Sequence, residues 1–205
     1  MNYKFYSSNI IGCKNFLPPI HLQDIRIELL NNRNNFQSSS WENKDLKTSD
    51  VQFFSEHCGG FDYWIKWGKT LANNEKIMQL YKWFYQQGLQ NFLESTNKKN
   101  VFNLLKRPKT HDIHVVSYNN GGYYNWHKDS EIFTFNLILN EGNNLLGGDM
   151  LFMDDGKIIT IPNQDNFMVV FPGYIEHAIT SIKSKDNKDV AFPQQRFSIQ
   201  YWVKV

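Results

Sequence analysis

From position 111 onward the chain is a succession of short β-rich runs: 111–118, 132–140, 149–153, 157–161, 166–171, 177–183 and 196–203. Turn-forming residues punctuate them: Asn140-Glu141-Gly142-Asn143-Asn144, Asp154-Asp155-Gly156, Pro162-Asn163 and Pro172-Gly173. Short strands separated by turn signals close into a sandwich or barrel, jelly rolls included. This grammar sets the second half as a β-sandwich core, with the helices of the first half supporting one face.

The first half reads differently. Residues 3–17 alternate weakly and predict one or two short strands, stopped by Pro18-Pro19. Leu22, Ile25, Leu29 and Leu30 recur at helical spacing and predict an amphipathic helix over 20–30. Residues 31–50 are rich in Asn, Ser and Lys and read as a polar loop. In 61–72, Trp64, Trp67 and Leu71 again fall at a three-to-four spacing. A helix follows over 74–95, with Ile77, Leu80, Tyr81, Phe84, Leu89 and Phe92 on one face and Gly88 weakening its middle. These aromatic residues are expected to pack the core. The expected class is therefore mainly β with supporting helices (α+β): a single domain over 1–205, with helical support and short N-terminal strands in 1–110 and the β core in 111–205.

Charge excludes little. The chain has a net charge of +2 and no block of like charges, which argues against a partner held through many nucleic-acid phosphates. Cys13 and Cys58 lack a zinc-like spacing and are expected to be reduced thiols. No signal peptide and no membrane-length apolar run stands out, so the expectation is a cytoplasmic protein with no membrane partner.

The candidate chemistry sits in His127-Lys128-Asp129. On an extended strand, residues two apart share a face, so His127 and Asp129 aim at a common point. With a second histidine, for which His177 is the candidate, they make the two-histidine, one-carboxylate set that holds a non-haem ferrous iron and leaves positions open. Arg196 and Ser198 also share a face, opposite Phe197, Ile199 and Tyr201. An inward arginine needs an anion: a carboxylate-bearing small molecule, or an internal partner such as Asp149 or Glu131. Other polar residues point to chemistry less well. His111 and His114, three apart, fall on opposite strand faces and read as structural or exposed. His57-Cys58 lacks partners, Asp154 and Asp155 belong to a turn, and His21 opens a helix.

From Tyr118 to Trp202 the chain resembles the iron(II)- and 2-oxoglutarate-dependent dioxygenases, in their prolyl 4-hydroxylase-like branch. The resemblance rests on an ordered set: Tyr118, Gly121-Gly122, Tyr124, His127-x-Asp129, Gly147-Gly148-x-x-x-Phe152, Pro172-Gly173, His177 and Arg196-x-Ser198. It implies a double-stranded β-helix of jelly-roll or cupin-like type, with N-terminal helices packed on one sheet. Iron, as Fe(2+), would be held by His127, Asp129 and His177. 2-Oxoglutarate would chelate the iron, with its far carboxylate on Arg196 assisted by Ser198 and the Tyr118 hydroxyl. Dioxygen is then consumed, 2-oxoglutarate becomes succinate and CO2, and a substrate C–H bond is hydroxylated; ascorbate is a further expected cofactor. By the same analogy the substrate is a peptide, protein or amino-acid-like molecule, with proline first. Loops around Tyr123, Tyr124 and Trp126, with 31–50 and 184–195, would form the substrate side.

The chain departs from the pattern in one respect. Arg196 lies well beyond His177, and the charged run 183–195 reads as an inserted loop that carries the competing Lys188. An arginine where the collagen-modifying enzymes use lysine places the chain nearer bacterial and phage-like relatives. Two other readings stand beside this one. A nucleic-acid repair oxygenase would carry a second arginine at position 202, which here is Trp202. A non-catalytic cupin-like binding module would show no iron-dependent turnover.

Overall fold

The last strand is the hub on which the two halves of the chain meet. In chain order the strands are β1 (Asn2–Phe5), β2 (Ile11–Lys14), β3 (Gln37–Ser38), β4 (Phe61–Ile65), β5 (Thr110–Tyr118), β6 (Tyr124–His127), β7 (Phe133–Asn140), β8 (Leu145–Leu146), β9 (Met150–Asp154), β10 (Lys157–Ile161), β11 (Phe167–Pro172), β12 (Glu176–Ile179), β13 (Lys183–Ser184) and β14 (Arg196–Lys204). The helices are α1 (Pro19–Asn31), α2 (Glu75–Trp83) and α3 (Leu89–Ser95), followed by a 3-10 turn over Val101–Lys106. The computed structural model describes residues 2–33, 37–38, 61–65, 75–83, 88–95, 101–106, 110–140, 144–188 and 195–204. Strand β14 pairs along its length with β5 on one side and β7 on the other. The large sheet runs β1-β2-β11-β7-β14-β5-β4-β3, and a smaller one runs β10-β9-β12-β6.

Strict alternation sorts the side chains of the large sheet. Along β7, Phe133, Phe135, Leu137 and Leu139 join Phe197, Ile199, Tyr201 and Val203 of β14 in a core shared with Ile25, Leu29, Ile77, Leu80, Phe92 and Phe102 of the helical layer. Phe92 is fully buried and meets Tyr3, Phe102 and Phe135 edge-on at 5.5, 5.4 and 6.5 Å; truncating it to alanine costs about 3–5 kcal/mol. The other face of the sheet turns Val116, Tyr118, Ile138 and Phe171 toward Met150, Phe152 and Ile179 of the small sheet, closing a second core between the sheets. The chemistry-bearing residues lie in this second layer.

The helical layer is tied down by polar contacts that hydrophobic spacing does not reveal. Glu28, buried on α1, accepts the backbone N–H groups of Lys76 and of Ile77 (3.1 Å for Ile77) at the start of α2. A carboxylate at a helix N-terminus satisfies orphan donors and meets the positive end of the dipole. Pro19 opens α1, where its missing N–H costs nothing.

Several elements differ from the sequence expectation. Residues 61–65 form a strand, β4, not part of a helix, because Phe-Asp-Tyr-Trp-Ile pairs antiparallel with β5, Tyr63 opposite Val115. Edge pairing on an existing sheet overrides the helical spacing, whose other members, Trp67 and Leu71, lie outside the described residues. The helix expected over 74–95 is described as α2 and α3, with residues 84–87 between them outside the description. The run expected over 177–183 ends as a ladder at Ile179, and Lys183-Ser184 pairs instead with Leu145-Leu146, so the segment after it opens as a strand. Of the expected 31–50 loop, Gln37–Ser38 is a strand paired to β4, and most of the remainder is outside the description. His57 and Cys58 are outside it too. No helix among the described residues is long and apolar enough to cross a membrane.

Candidate metal centre

The small sheet brings His127 and His177 together as direct cross-strand partners on β6 and β12. Their rings lie 4.2 Å apart, centroid to centroid. Asp129 is placed differently from the sequence expectation. Strand β6 ends at His127, so the carboxylate is positioned by contacts made beyond the strand, not by alternation within it. The Asp129 N–H donates to Gly173 O at 3.0 Å, Gly173 N–H donates to Ile132 O at 2.9 Å, and the Thr134 hydroxyl donates to Asp129 Oδ2. Gly173 is required here, since a Cβ would sit 1.9 Å from Glu131 O and 3.2 Å from Asp129 Cβ. The outcome is a convergent set. Asp129 Oδ1 is 3.7 Å from His127 Nε2, Asp129 Oδ2 is 3.7 Å from His177 Nε2, and one ligand atom from each residue lies within 4.8 Å of the others.

Tautomers are fixed by the outer contacts. His127 Nδ1 is 2.7 Å from Asn125 O and His177 Nδ1 is 2.9 Å from Ile175 O. A carbonyl only accepts, so each Nδ1 carries the proton and each Nε2 turns a lone pair inward. Burial pushes the His177 imidazole down to about 4, which keeps it neutral at pH 7. Burial likewise raises the Asp129 carboxyl, opposed by His127, the Thr134 hydroxyl and His114.

Arg196, fully buried at the start of β14, stands opposite Tyr118 and Asn140 in the ladder. Its Nε donates to Gly148 O at 3.1 Å and its Nη1 to Ser198 Oγ at 2.8 Å, while Nη2 is buried without a hydrogen-bond partner. The guanidinium lies 5.2 Å from the Tyr118 ring centroid, within cation–π range. Gly148, at φ +74°, lets the backbone come this close: a Cβ there would lie 3.0 Å from Arg196 Cδ. Burial lowers the guanidinium to about 10, with Tyr118 and Asp149 opposing the shift, so it remains a cation at pH 7. No carboxylate among the described residues, Asp149 and Glu131 included, forms an ion pair with it. Lys188, the competing cation, is exposed.

Residues 113–204 match the family described as the 2OG-Fe(II) oxygenase superfamily. Those residues carry a 2OG-Fe(II) oxygenase domain with the candidate His-Asp-His set. A Pseudomonas putida prolyl-4-hydroxylase superposes with a TM-score of 0.62 at 16% identity, over 96% of this chain and 92% of that one. A prolyl hydroxylase from Trichoplax adhaerens, solved with a hypoxia inducible factor oxygen degradation domain peptide fragment, gives 0.67 at 15% identity over 97% and 84%. An oxidoreductase of the 2OG-Fe(II) oxygenase family from Burkholderia pseudomallei gives 0.62 at 11% over 96% and 85%. At these identities the likeness establishes the fold, the double-stranded β-helix expected from the sequence. Among curated proteins, none matches by sequence.

The residues present fit the oxygenase's metal. His177 Nε2 is buried without a hydrogen-bond donor or acceptor, an orphan that a cation satisfies. Two neutral imidazoles and one carboxylate are the donor set suited to ferrous iron, with the three donors gathered on one side. Tyr124, expected on the substrate side, is buried with its ring 4.0 Å from that of His127, so it packs the ligand; Tyr123 and Trp126 are half-buried.

Sequence reasoning missed several residues of the site. His114, read from the sequence as structural or exposed, is buried, its Nδ1 3.0 Å from Gln200 Oε1 and its ring 5.3 Å from that of Trp202. Thr134 and Asn136 are both fully buried on the inner face of β7. The signal that could have found them was the alternation Phe-Thr-Phe-Asn-Leu, which puts polar residues on one face of a strand with apolar residues on both sides of it. Asp154, taken as a turn residue, is buried and accepts from Ser7 Oγ and from Asn9 Nδ2 (2.9 Å for the latter), fastening the β1–β2 loop to the small sheet.

Proposed function

We propose that the chain is an iron(II)- and 2-oxoglutarate-dependent hydroxylase acting on a C–H bond of an amino-acid residue, prolyl first, with dioxygen consumed and 2-oxoglutarate converted to succinate and CO2. Iron and cosubstrate, when bound, supply the oxidising chemistry. His127, Asp129 and His177 hold the metal, and the carbonyls of Asn125 and Ile175 keep both imidazoles in the ligating tautomer. Arg196 receives the far carboxylate through Nη2, with Ser198 holding the other half of its fork and Tyr118 walling the guanidinium. Ascorbate serves as the reductant that keeps the metal ferrous.

The observation that carries this reading is the pairing, in one inter-sheet layer, of a convergent His-Asp-His set with a buried cation that retains an unused N–H group. A peptidyl or amino-acid substrate is supported by the two prolyl hydroxylases of the same fold, one of them peptide-bound. We assign the substrate side to the segment around Tyr123 and Trp126; a substrate complex that touches neither would end that assignment. The 205 residues act as one domain, since β1 to β4 of the first half complete the large sheet on both flanks.

The test is succinate formation from 2-oxoglutarate by purified protein with ferrous iron, ascorbate and oxygen, screened over proline, prolyl peptides and other amino acids. Loss of turnover in His127→Ala, together with recovery at high 2-oxoglutarate in Arg196→Ala, is expected. Absence of metal and 2-oxoglutarate binding by calorimetry would overturn the proposal in favour of a binding module.

A further inference from the structure

The inner face of β7 carries a polar group for which the site described so far has no use. Thr134, Asn136, Ile138 and Asn140 are its inward positions in order. Thr134 is bonded to Asp129, and Asn140 stands opposite Arg196. Arg196 folds back along its own strand to Ser198, so its guanidinium sits at the rung where Ser198 faces Ile138. Asn136 therefore lies one rung, about 7 Å, from the guanidinium and one rung from the Asp129 partner. The facing sheet gives the same placement. Asn136 Nδ2 reaches Met150 Sδ at 3.1 Å, and Met150 is two residues from Phe152, the strand partner of His177.

Asn136 is fully buried, and its Oδ1 has no hydrogen-bond partner. A thioether is a weak acceptor, so little fixes which end of the amide faces the sulfur. The two ends have the same shape, and rotation about χ2 exchanges them. A buried amide with one end uncommitted, lying between a metal set and a carboxylate-binding cation, is built to meet something polar in between.

We propose that Asn136 is a cosubstrate-binding residue that donates its amide N–H to the carboxylate at the keto-acid end of 2-oxoglutarate. This rests on the function proposed above. With the far carboxylate on Arg196, a five-carbon diacid brings its keto-acid end to the Asn136 rung, and the arriving anion selects the NH2 end of the amide. Arg196 and Asn136 thus read opposite ends of one molecule.

The experiment uses zinc-loaded protein, which binds without turning over, and dissociation constants from ligand-observed NMR. Three probes separate the two ends: 2-oxoglutarate, 2-oxobutanoate (keto-acid end only) and 4-oxopentanoate (far carboxylate only). Asn136→Leu should weaken 2-oxoglutarate and 2-oxobutanoate by roughly tenfold to a hundredfold, the loss of one charge-assisted hydrogen bond, and leave 4-oxopentanoate unchanged. Arg196→Met should weaken 2-oxoglutarate and 4-oxopentanoate and spare 2-oxobutanoate. Asn136→Ser, which keeps a donor and guards against a leucine variant that does not fold, should restore part of the loss relative to Asn136→Ala. Equal weakening of all three probes in the Asn136 variants, or no weakening, overturns the inference. Failure of the unmutated protein to bind 2-oxoglutarate overturns the underlying function instead.

Discussion

Replacing Arg196 with methionine separates a cation held for a ligand from one held for the fold. In the ligand-free protein the guanidinium is fully buried and lowered to about 10, which puts the cost of keeping it charged at about 3 kcal/mol. Methionine removes that cost and retains most of the apolar stem. Against this, Gly148 O and Ser198 Oγ lose their donors. A buried carbonyl left bare costs about 1–3 kcal/mol, and the serine hydroxyl rotates to find another partner. The opposing effects nearly cancel, so Arg196→Met should unfold in urea within about 2 kcal/mol of the unmutated protein, measured in EDTA.

Cosubstrate binding should respond quite differently. The far carboxylate loses one or two charge-assisted hydrogen bonds from Nη2, about 3 kcal/mol together. The KM for 2-oxoglutarate should then rise roughly a hundredfold, while kcat at saturation changes little because the reacting end is untouched. Arg196→Lys should fall between, as a point charge without the fork. The opposite pattern, a loss of more than about 4 kcal/mol with KM unchanged, would mark Arg196 as a structural cation and refute the reasoning.

The metal set yields further expectations. Asp129 is an acid whose folded value is raised, so it stabilises the metal-free protein at low pH and loses that stabilisation as pH rises. Asp129→Asn should therefore raise the melting temperature of the metal-free protein at neutral pH and abolish the stabilisation added by Mn(II). His177 is a base whose folded value falls from 6.5 to about 4, so the unfolded chain takes the proton first. Stability should drop by about 3 kcal/mol between pH 6.5 and 4, and urea titrations of His177→Gln should lack that component. Thr134→Val removes the hydroxyl that donates to Asp129 and should weaken metal binding about 10–100-fold by competition with a chelating dye. Gly173→Ala, with its Cβ forced against Glu131 O, should cost about 1–3 kcal/mol and lower metal affinity, since the Asp129 N–H bond depends on the same backbone.

The longer strands of the second half were legible because they are short β-rich runs bounded by turn residues. In β7 and β14 the period-two rule also places the faces: Phe197, Ile199 and Tyr201 do pack opposite Arg196 and Ser198. His177 was a candidate from its place after the Pro172-Gly173 turn, and its cross-strand pairing with His127 emerges only from the register of β6 and β12. What failed was the part of the chain governed by pairing rather than by its own pattern. Trp64 belongs to a helical spacing with Trp67 and Leu71, yet residues 61–65 extend because they pair along β5. Strands β8 and β13 are two residues each, too short for any periodicity to register.

Asp129 joins the convergent set by a route that strand alternation does not supply. Alternation within a strand points His127 and Asp129 the same way, but the strand stops at His127. The carboxylate is aimed instead by four contacts: the Gly173 carbonyl on the Asp129 N–H, the Thr134 hydroxyl and the two imidazole edges. Gly173 comes directly after the run that ends β11, and Thr134 opens β7, so the ligand is clamped between the strand that precedes His177 and the strand that carries Asn136. Metal affinity should therefore respond to Gly173→Ala and Thr134→Val together by less than the sum of their separate effects, because both act through one carboxylate position. Additive losses would mean that the two contacts hold Asp129 independently, and the clamp would then be two unrelated packing contacts.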